Sequence, residues 1–276
     1  MTDRYAVIGN PIGHSKSPLI HGAFARQCGQ DIEYVALEAP VGGFGPAVDR
    51  LRADGGRGLN ITAPFKLDAF AYATSLQDRA RLAGAVNAMK FEGDEVVADN
   101  FDGIGLVNDI ERNLSAPIRG RRVLMLGAGG AARGALLPIL DGNPSELCIV
   151  NRTLSKAEEL QRIAAGRGNV VACGYPDLSD RHAGHFDIVI NATSASLRGE
   201  LPPVHTGVFG PDCLAYELVY GKGLTPFLRL AQGAGVQRLA DGVGMLVEQA
   251  AEAFAWWRGV RPNTRPVIAL LTIPLA

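Results

Sequence analysis

Directly after the apolar run Val123-Leu124-Met125-Leu126 the chain reads Gly127-Ala128-Gly129-Gly130-Ala131-Ala132. The spacing fits G-x-G-x-x-G/A: one glycine permits a tight strand-to-helix turn, the next lets backbone approach an anion, and a small third residue lets the helix pack closely. The first N–H groups of that helix then face a pyrophosphate. An ordinary glycine-rich turn is the plain alternative, but a strand before, a helix after and another strand about 20 residues on are the context a dinucleotide site needs. The tip of that next strand is Asn151-Arg152-Thr153, with Lys156 one turn further and no carboxylate before Glu158 and Glu159. NAD sites usually place an acid there for the ribose 2'-hydroxyl, whereas NADP sites supply cations for the 2'-phosphate. Arg152 can fork onto a phosphate and Lys156 adds a point charge, so the sequence predicts NADP.

Three more segments carry hydroxyl, amide and charged side chains at expected strand ends in the first half, where open α/β sheets hold ligands. In Gly9-Asn10-Pro11-Ile12-Gly13-His14-Ser15-Lys16-Ser17-Pro18, the hydroxyls of Ser15 and Ser17 precede a helix and could hold a carboxylate. Ser17 reads equally as a helix N-cap with Pro18 in the first turn. Asn60-Ile61-Thr62-Ala63-Pro64-Phe65-Lys66 ends a strand and begins a helix. Lys66 beside a carbonyl can act as general acid, or as base where its surroundings lower its pKa; a solvated surface lysine is the alternative. Asp99-Asn100-Phe101-Asp102-Gly103 follows Ala85-Val86-Asn87-Ala88. Asp102 could orient Lys66, or simply cap the next helix.

The elements that must position these residues alternate short β-rich runs with helical patterns, the signature of parallel strands under covering helices. Strands are expected near 5–8, 33–38, 57–61, 85–91 and 94–99, with Glu92-Gly93-Asp94 as a hairpin turn that creates one antiparallel edge. Helical stripes run through Leu19, Ile20, Ala23 and Phe24 and through Phe44, Val48 and Leu51, and a helix covers 103–114. Ser115-Ala116-Pro117-Ile118-Arg119-Gly120 has linker chemistry. Strands follow near 122–126, 146–150, 169–173, 186–190 and 213–219, then a strong helix over Asp241–Trp257. The fold class is therefore α/β in two domains. An N-terminal, mostly parallel domain spans residues 1–115 and a Rossmann-type doubly wound domain spans 116–240. The helices of 241–276 could return to the first domain and close a cleft.

Composition excludes several classes. Lys plus Arg total 27 against 28 Asp plus Glu, a net charge of −1, and no basic run offers a footprint for nucleic acid or membrane. Cys28, Cys148, Cys173 and Cys213 lie far apart without CxxC spacing, which indicates free thiols in a reducing compartment and no metal site. His14, His21, His182, His185 and His205 show no paired spacing, so none is assigned a catalytic role. No signal-peptide h-region and no 18-residue apolar run occurs, so a cytoplasmic protein is expected. Glycine is high at 34 of 276, or about 12% against an average near 7%, and close backbone approach to a ligand is the reading pursued.

Taken in order, these motifs resemble the shikimate dehydrogenase family over nearly the whole chain. The serine pair, Asn60-x-Thr62-x-Pro64-x-Lys66, Ala85-Val86-Asn87, Asn100-x-Asp102-Gly103, the Gly127 turn and Asn151-Arg152-Thr153 stand in that family's order. Asn191-Ala192-Thr193-Ser194, Tyr220 with Thr225-Pro226-Phe227, and the run from Asp241 to Gln249 follow. The resemblance implies a two-domain NADP-dependent enzyme of aromatic amino acid (chorismate) biosynthesis, reducing 3-dehydroshikimate to shikimate by hydride transfer in the interdomain cleft. It implies Ser15, Ser17 and Tyr220 on the substrate carboxylate, Asn60, Thr62, Asn87, Asp102 and Gln249 on ring hydroxyls, and Lys66 as the proton carrier with Asp102 orienting it. The cofactor set it implies is Asp78, Gly127, Ala128, Gly129, Gly130, Ala131, Asn151, Arg152, Thr153, Lys156, Thr193, Leu218, Gly242 and Met245, in a monomer or homodimer. Rival readings are a quinate/shikimate dehydrogenase with broader cofactor use, a folate-type dehydrogenase and a non-catalytic ligand-sensing module. Phe101 and Ala88 depart from the family's usual threonines, and Gly221-Lys222 from its Asn-Pro. Phe101 puts in question any hydroxyl contact beside Asp102.

Overall fold

Strands buried on both faces read as near-continuous apolar runs, because helices cover each side of a parallel sheet. Tyr5-Ala6-Val7-Ile8 and Val123-Leu124-Met125-Leu126 are such runs, and every one of these residues is buried. Each lies in the heart of its own six-stranded sheet. The computed structural model describes residues 2–180 and 185–275; His182 lies outside them. The chain forms two units, one running to Gly105 and resumed over Val247–Leu270, the other spanning Leu106–Leu246 with the chain end from Leu271.

The first unit contains β1 (Asp3–Gly9), α1 (Ser17–Cys28), β2 (Ile32–Glu38), α2 (Phe44–Ala53), β3 (Gly56–Ile61), α3 (Lys66–Tyr72), β4 (Ser75–Leu76), α4 (Asp78–Ala83), β5 (Ala88–Glu92) and β6 (Glu95–Asp99). Its strand order is β2-β1-β3-β5-β6-β4. The hairpin forms as expected, with Gly93 at φ 63° in its turn. It does not make an antiparallel edge. β5 runs against both β3 and β6, while the two-residue β4 pairs parallel outside β6 and leaves β5 as the one reversed strand inside the sheet. Alternation along the strands sends Ala6, Ile8, Leu59 and Ile61 against Phe44, Val48 and Phe65, and Tyr5 and Ala88 to the opposite face. There Trp257 stacks on Tyr5 at 4.7 Å and donates from Nε1 to the Met89 carbonyl at 3.0 Å.

α5 (Asp102–Asn108) then widens into a π-helical turn over Asp109–Asn113, so the helix expected over 103–114 changes pitch at Asp109. The second unit continues with β7 (Arg122–Leu126), α6 (Gly130–Asp141), β8 (Glu146–Val150), α7 (Leu154–Ile163), β9 (Val170–Cys173), α8 (Asp177–Asp180), β10 (Phe186–Asn191), β11 (Phe209–Glu217), α9 (Pro226–Gly233), β12 (Arg238–Ala240) and the first turn of α10 (Val243–Arg258); the rest of α10 and all but the last residue of α11 (Arg265–Leu271) belong to the first unit. The order β12-β11-β10-β7-β8-β9 is parallel throughout, which is the doubly wound arrangement. Val123 and Met125 face Ala132, Leu136 and Leu160 on one side, while Leu124 and Leu126 face Phe227 and Leu228 on the other. β11 starts at Phe209, ahead of the expected 213, and ends at Glu217, and β12 is not among the expected strands.

Candidate active site

β1 and β3 are neighbours, so the loops leaving their carboxyl ends run side by side. Thr62 N–H donates to the Ile8 carbonyl at 3.0 Å and Asn10 N–H to the Ala63 carbonyl at 3.1 Å. Ser17 is the first residue of α1, and its N–H donates to Ser15 Oγ at 3.3 Å. The N-cap position is Lys16, which supplies no side-chain cap, so Ser17 is not the cap that the sequence offered as an alternative. Asn60, buried at the end of β3, accepts from Tyr34 Oη at 2.7 Å and donates to the Asn87 carbonyl at 3.2 Å. Tyr34 stacks at 4.2 Å on His21, whose fully buried ring is held neutral by desolvation, its pKa lowered to about 3.

Lys66 opens α3 and Asp102 opens α5, and the two meet: Nζ lies 2.5 Å from Oδ2. The other Asp102 oxygen accepts from Asn87 Nδ2 at 2.8 Å, and that amide nitrogen also lies 3.3 Å from Gln249 Oε1. Asn87 Oδ1 in turn accepts the Phe101 N–H at 2.9 Å, which fixes which end of the amide faces Asp102. Both carboxylate oxygens are thus engaged, and the lysine is held by one of them with 35% of its side chain exposed against 19% for Asp102. An ammonium that is anchored yet open on one side can donate a proton to a carbonyl oxygen placed beside it.

Phe101 brings no hydroxyl alternative to this cluster. Its ring is buried beside Ala88, meets Trp256 edge-on at 5.6 Å and carries the Arg79 guanidinium at 5.2 Å. Arg79 pairs with buried Asp99, whose carboxyl burial pushes upward; the Arg79 charge opposes this and the neighbouring Asp78 charge adds to it. Asp78 itself begins α4 in this unit.

In the second unit the glycine turn, the β8 tip and the loop after β10 surround a cavity of about 420 Å³. Gly127 needs its glycine for conformation, at φ 104°. Gly129 and Gly130 do not: a Cβ at either would meet nothing within 4 Å, so the space beside them is open to a ligand. Asn151 ties the β8 tip to the turn, accepting the Ala128 N–H at 3.3 Å and donating to the Thr153 carbonyl at 2.8 Å. Arg152, Thr153, Lys156 and Thr193 line the same cavity. Ala131, Leu218, Gly242 and Met245 do not. Leu218 and Gly242 lie back to back instead, since a Cβ on Gly242 would sit 2.2 Å from the Leu218 carbonyl oxygen. Tyr220 follows β11 in this second unit, whereas Ser15 and Ser17 belong to the first.

Several residues that organise these loops were not apparent in the sequence. Glu217 is fully buried and accepts from Ser196 Oγ at 2.5 Å, Asn191 Nδ2 at 2.9 Å, Thr225 Oγ1 at 3.0 Å and the Val219 N–H at 3.2 Å. Asn191 Oδ1 receives both Thr193 N–H and Oγ1. One carboxylate therefore ties together the segments that carry Thr193 and Leu218. Asp241 accepts the N–H groups of Val243 and Gly221, and Tyr216 Oη donates to Asp109 at 2.7 Å while receiving the Met245 N–H at 3.3 Å. Tyr175, Arg198 and Glu200 complete the cavity wall. The signal that could have marked Glu217 is its place at the end of an apolar strand, where a charge must be paired.

Among the described residues no His, Cys, Asp and Glu cluster suits a metal, and no helix is long and apolar enough to cross a membrane. The fold and this cavity define a two-unit α/β protein with a doubly wound sheet of the dinucleotide-binding type. Family models match along the chain: the shikimate dehydrogenase substrate binding domain over residues 7–89, shikimate / quinate 5-dehydrogenase over 109–198 and the shikimate 5'-dehydrogenase C-terminal domain over 242–272. A shikimate dehydrogenase (NADP(+)) of Chromobacterium violaceum is 58% identical over 100% of both chains. The crystal structure of an Ael1 enzyme from Pseudomonas putida, 60% identical, superposes with a TM-score of 0.95 over 100% of both chains. The shikimate 5-dehydrogenase of Thermus thermophilus in complex with NADP(H) and shikimate, 28% identical, gives 0.83 over 97% of this chain and 98% of that one. The chain belongs to the shikimate dehydrogenase family.

Proposed function

We propose that this protein catalyses the reversible, NADP-dependent reduction of 3-dehydroshikimate to shikimate. The observation that carries the reading is the Lys66–Asp102 pair at 2.5 Å, braced through Asn87 and Gln249 at the strand ends of the first unit. The cavity of the second unit fits the cofactor: open space beside Gly129 and Gly130 admits a pyrophosphate, and Arg152 with Lys156 suits the 2'-phosphate. NADPH, when bound, supplies the hydride. Lys66 gives its proton from Nζ to the ketone oxygen as negative charge develops there, and takes it back in the oxidative direction. Asp102 keeps that ammonium aimed, and Asn87 keeps Asp102 from turning. Asn60, Thr62 and Gln249 orient ring hydroxyls. Ser15 and Ser17 receive the carboxylate, and Thr193 adds a cofactor contact from the loop after β10.

The test is the rate of NADP reduction with shikimate and with quinate side by side, for the wild type and Lys66→Ala. A positioned acid contributes about 10²- to 10⁴-fold, so the variant should lose turnover by that factor and keep NADP binding. Near-normal turnover would refute the role of Lys66. A wild type that prefers quinate would replace the substrate.

A further inference from the structure

A second set of charges lines the cofactor cavity from the loop after β10. The loop after β10 makes a short 3₁₀ turn over Ala195–Arg198, and Arg198 and Glu200 both line the cavity with Arg152 and Lys156. Arg198 Nη2 donates to Glu200 Oε2 at 2.8 Å, and Nη1 donates to Ser194 Oγ at 3.1 Å. Its partners therefore come from its own loop. Side chains 53% and 57% exposed, two residues apart, form a pair that adds little to folding and separates at little cost. A carboxylate on the wall of an anion site is unfavourable unless cations neutralise it. Glu200 has two: its carboxyl is held below the ordinary glutamate range first by the hydrogen bond and charge of Arg198 and then by the charge of Arg152. Glu200 thus stands within the field of both guanidinium groups, where a phosphate dianion would compete for them.

We propose that Arg198 is a second guanidinium ligand of the cofactor's 2'-phosphate, that Glu200 is the partner the phosphate displaces, and that this exchange sets how strongly the protein prefers NADP over NAD. The proposal rests on the NADP reading given above. A phosphate offers the planar fork of the Arg198 guanidinium two acceptor oxygens and more charge than one carboxylate, so the exchange favours the phosphorylated ligand. A 2'-hydroxyl carries no charge and leaves the Arg198–Glu200 pair in place.

The experiment is calorimetric titration of the intact protein with NADP, NAD, 2',5'-ADP and 5'-AMP, for the wild type, Arg198→Gln, Glu200→Gln and the double variant, with thermal melts to confirm folding. Arg198→Gln should weaken NADP and 2',5'-ADP by about tenfold, the loss expected for one charge-assisted contact, and shift NAD and 5'-AMP by less than about twofold. Glu200→Gln should tighten the two 2'-phosphorylated ligands by roughly threefold and leave the others alone. In the Arg198→Gln background that gain should shrink, because the two residues act as a pair. Equal losses for both classes of ligand, no change with Arg198→Gln, or weaker 2'-phosphate binding with Glu200→Gln would each overturn the proposal. A wild type that does not prefer 2',5'-ADP over 5'-AMP would remove the NADP reading itself. Retained preference in Arg198→Gln, lost in Arg152→Gln, would remove only the role of Arg198.

Discussion

Gly244, in the first turn of α10, is predicted to be required by a side chain 135 positions earlier. A Cβ placed on it would lie 2.0 Å from Asp109 Oδ1 and 2.1 Å from both Cγ and Oδ2, so the whole carboxyl group would have to leave. That group is buried and accepts from Tyr216 Oη at 2.7 Å and from Asn113 Nδ2 at 2.9 Å. Tyr216 remains a donor at ordinary pH, because burial first and the Asp109 charge second push its phenol well above the usual value. Hydrogen bonds to a charged acceptor contribute about 1.5–3 kcal/mol each. Against their loss, alanine gains up to about 1 kcal/mol over glycine in a helix. Gly244→Ala should therefore destabilise the second unit by roughly 2–5 kcal/mol. Trp256 and Trp257, the chain's two tryptophans, lie in the first unit, so fluorescence would report the wrong region. Calorimetry with hydrogen exchange of the β11 amides follows the second unit directly. In an Asp109→Ala background the same substitution should cost nothing or stabilise, which a double-mutant cycle reads as coupling. A Gly244→Ala protein as stable as the parent, or an unchanged cost without Asp109, would refute the reasoning.

Gly129→Ala should keep its stability within about 0.5 kcal/mol, since Gly129 has an extended φ of −85° and open space around a Cβ. It should weaken NADP at least about tenfold by occupying the pyrophosphate's place, and unchanged binding by calorimetry would contradict that use of the space. Glu217→Gln should be destabilising, because an amide sets a donor against one of the four groups that donate to the carboxylate. Burial raises the Glu217 carboxyl above the ordinary glutamate value, so the folded protein binds its proton more tightly than the unfolded chain does. The residue's contribution to stability is then greatest at low pH and declines as pH rises through the folded value. Urea titrations should show a larger cost of Glu217→Gln near about pH 4 than at pH 7, and a cost that grows with pH would show that the donors outweigh burial.

Elements that a sheet buries on both faces were legible because their apolar runs leave no other period. β1, β7, β8 and β10 are of this kind, and each was placed within a residue or two at either end. β4 and β12, at two and three residues, are too short to show any periodicity. The direction of β5 follows from which edge β4 occupies, a long-range fact that no local pattern carries. The site behaved in the same way. Lys66 and Asp102 were recognisable because each begins a helix, whereas Asn87 fell inside the strand expected over 85–91 and in fact precedes β5; their meeting depends on β3, β5 and β6 lying side by side.

The departures at Ala88 and Phe101 show how a pair of local oddities becomes one structural statement. Read singly, each is a missing hydroxyl beside a substrate residue. Ala88 and Asp99 face one another across the β5–β6 ladder, so Phe101 follows the partner strand by two residues and shares the cluster that holds Ala88. The small side chain at 88 and the large one at 101 lie in one packed layer with Tyr5, Ala253 and Trp257, and volume-conserving exchanges are the ones such layers tolerate. Phe101 then contributes through its backbone, whose N–H orients the Asn87 amide, while its ring supports Arg79 against Asp99. A hydroxyl lost at this position removes nothing from the Lys66–Asp102 pair, because no side-chain atom of residue 101 takes part in it.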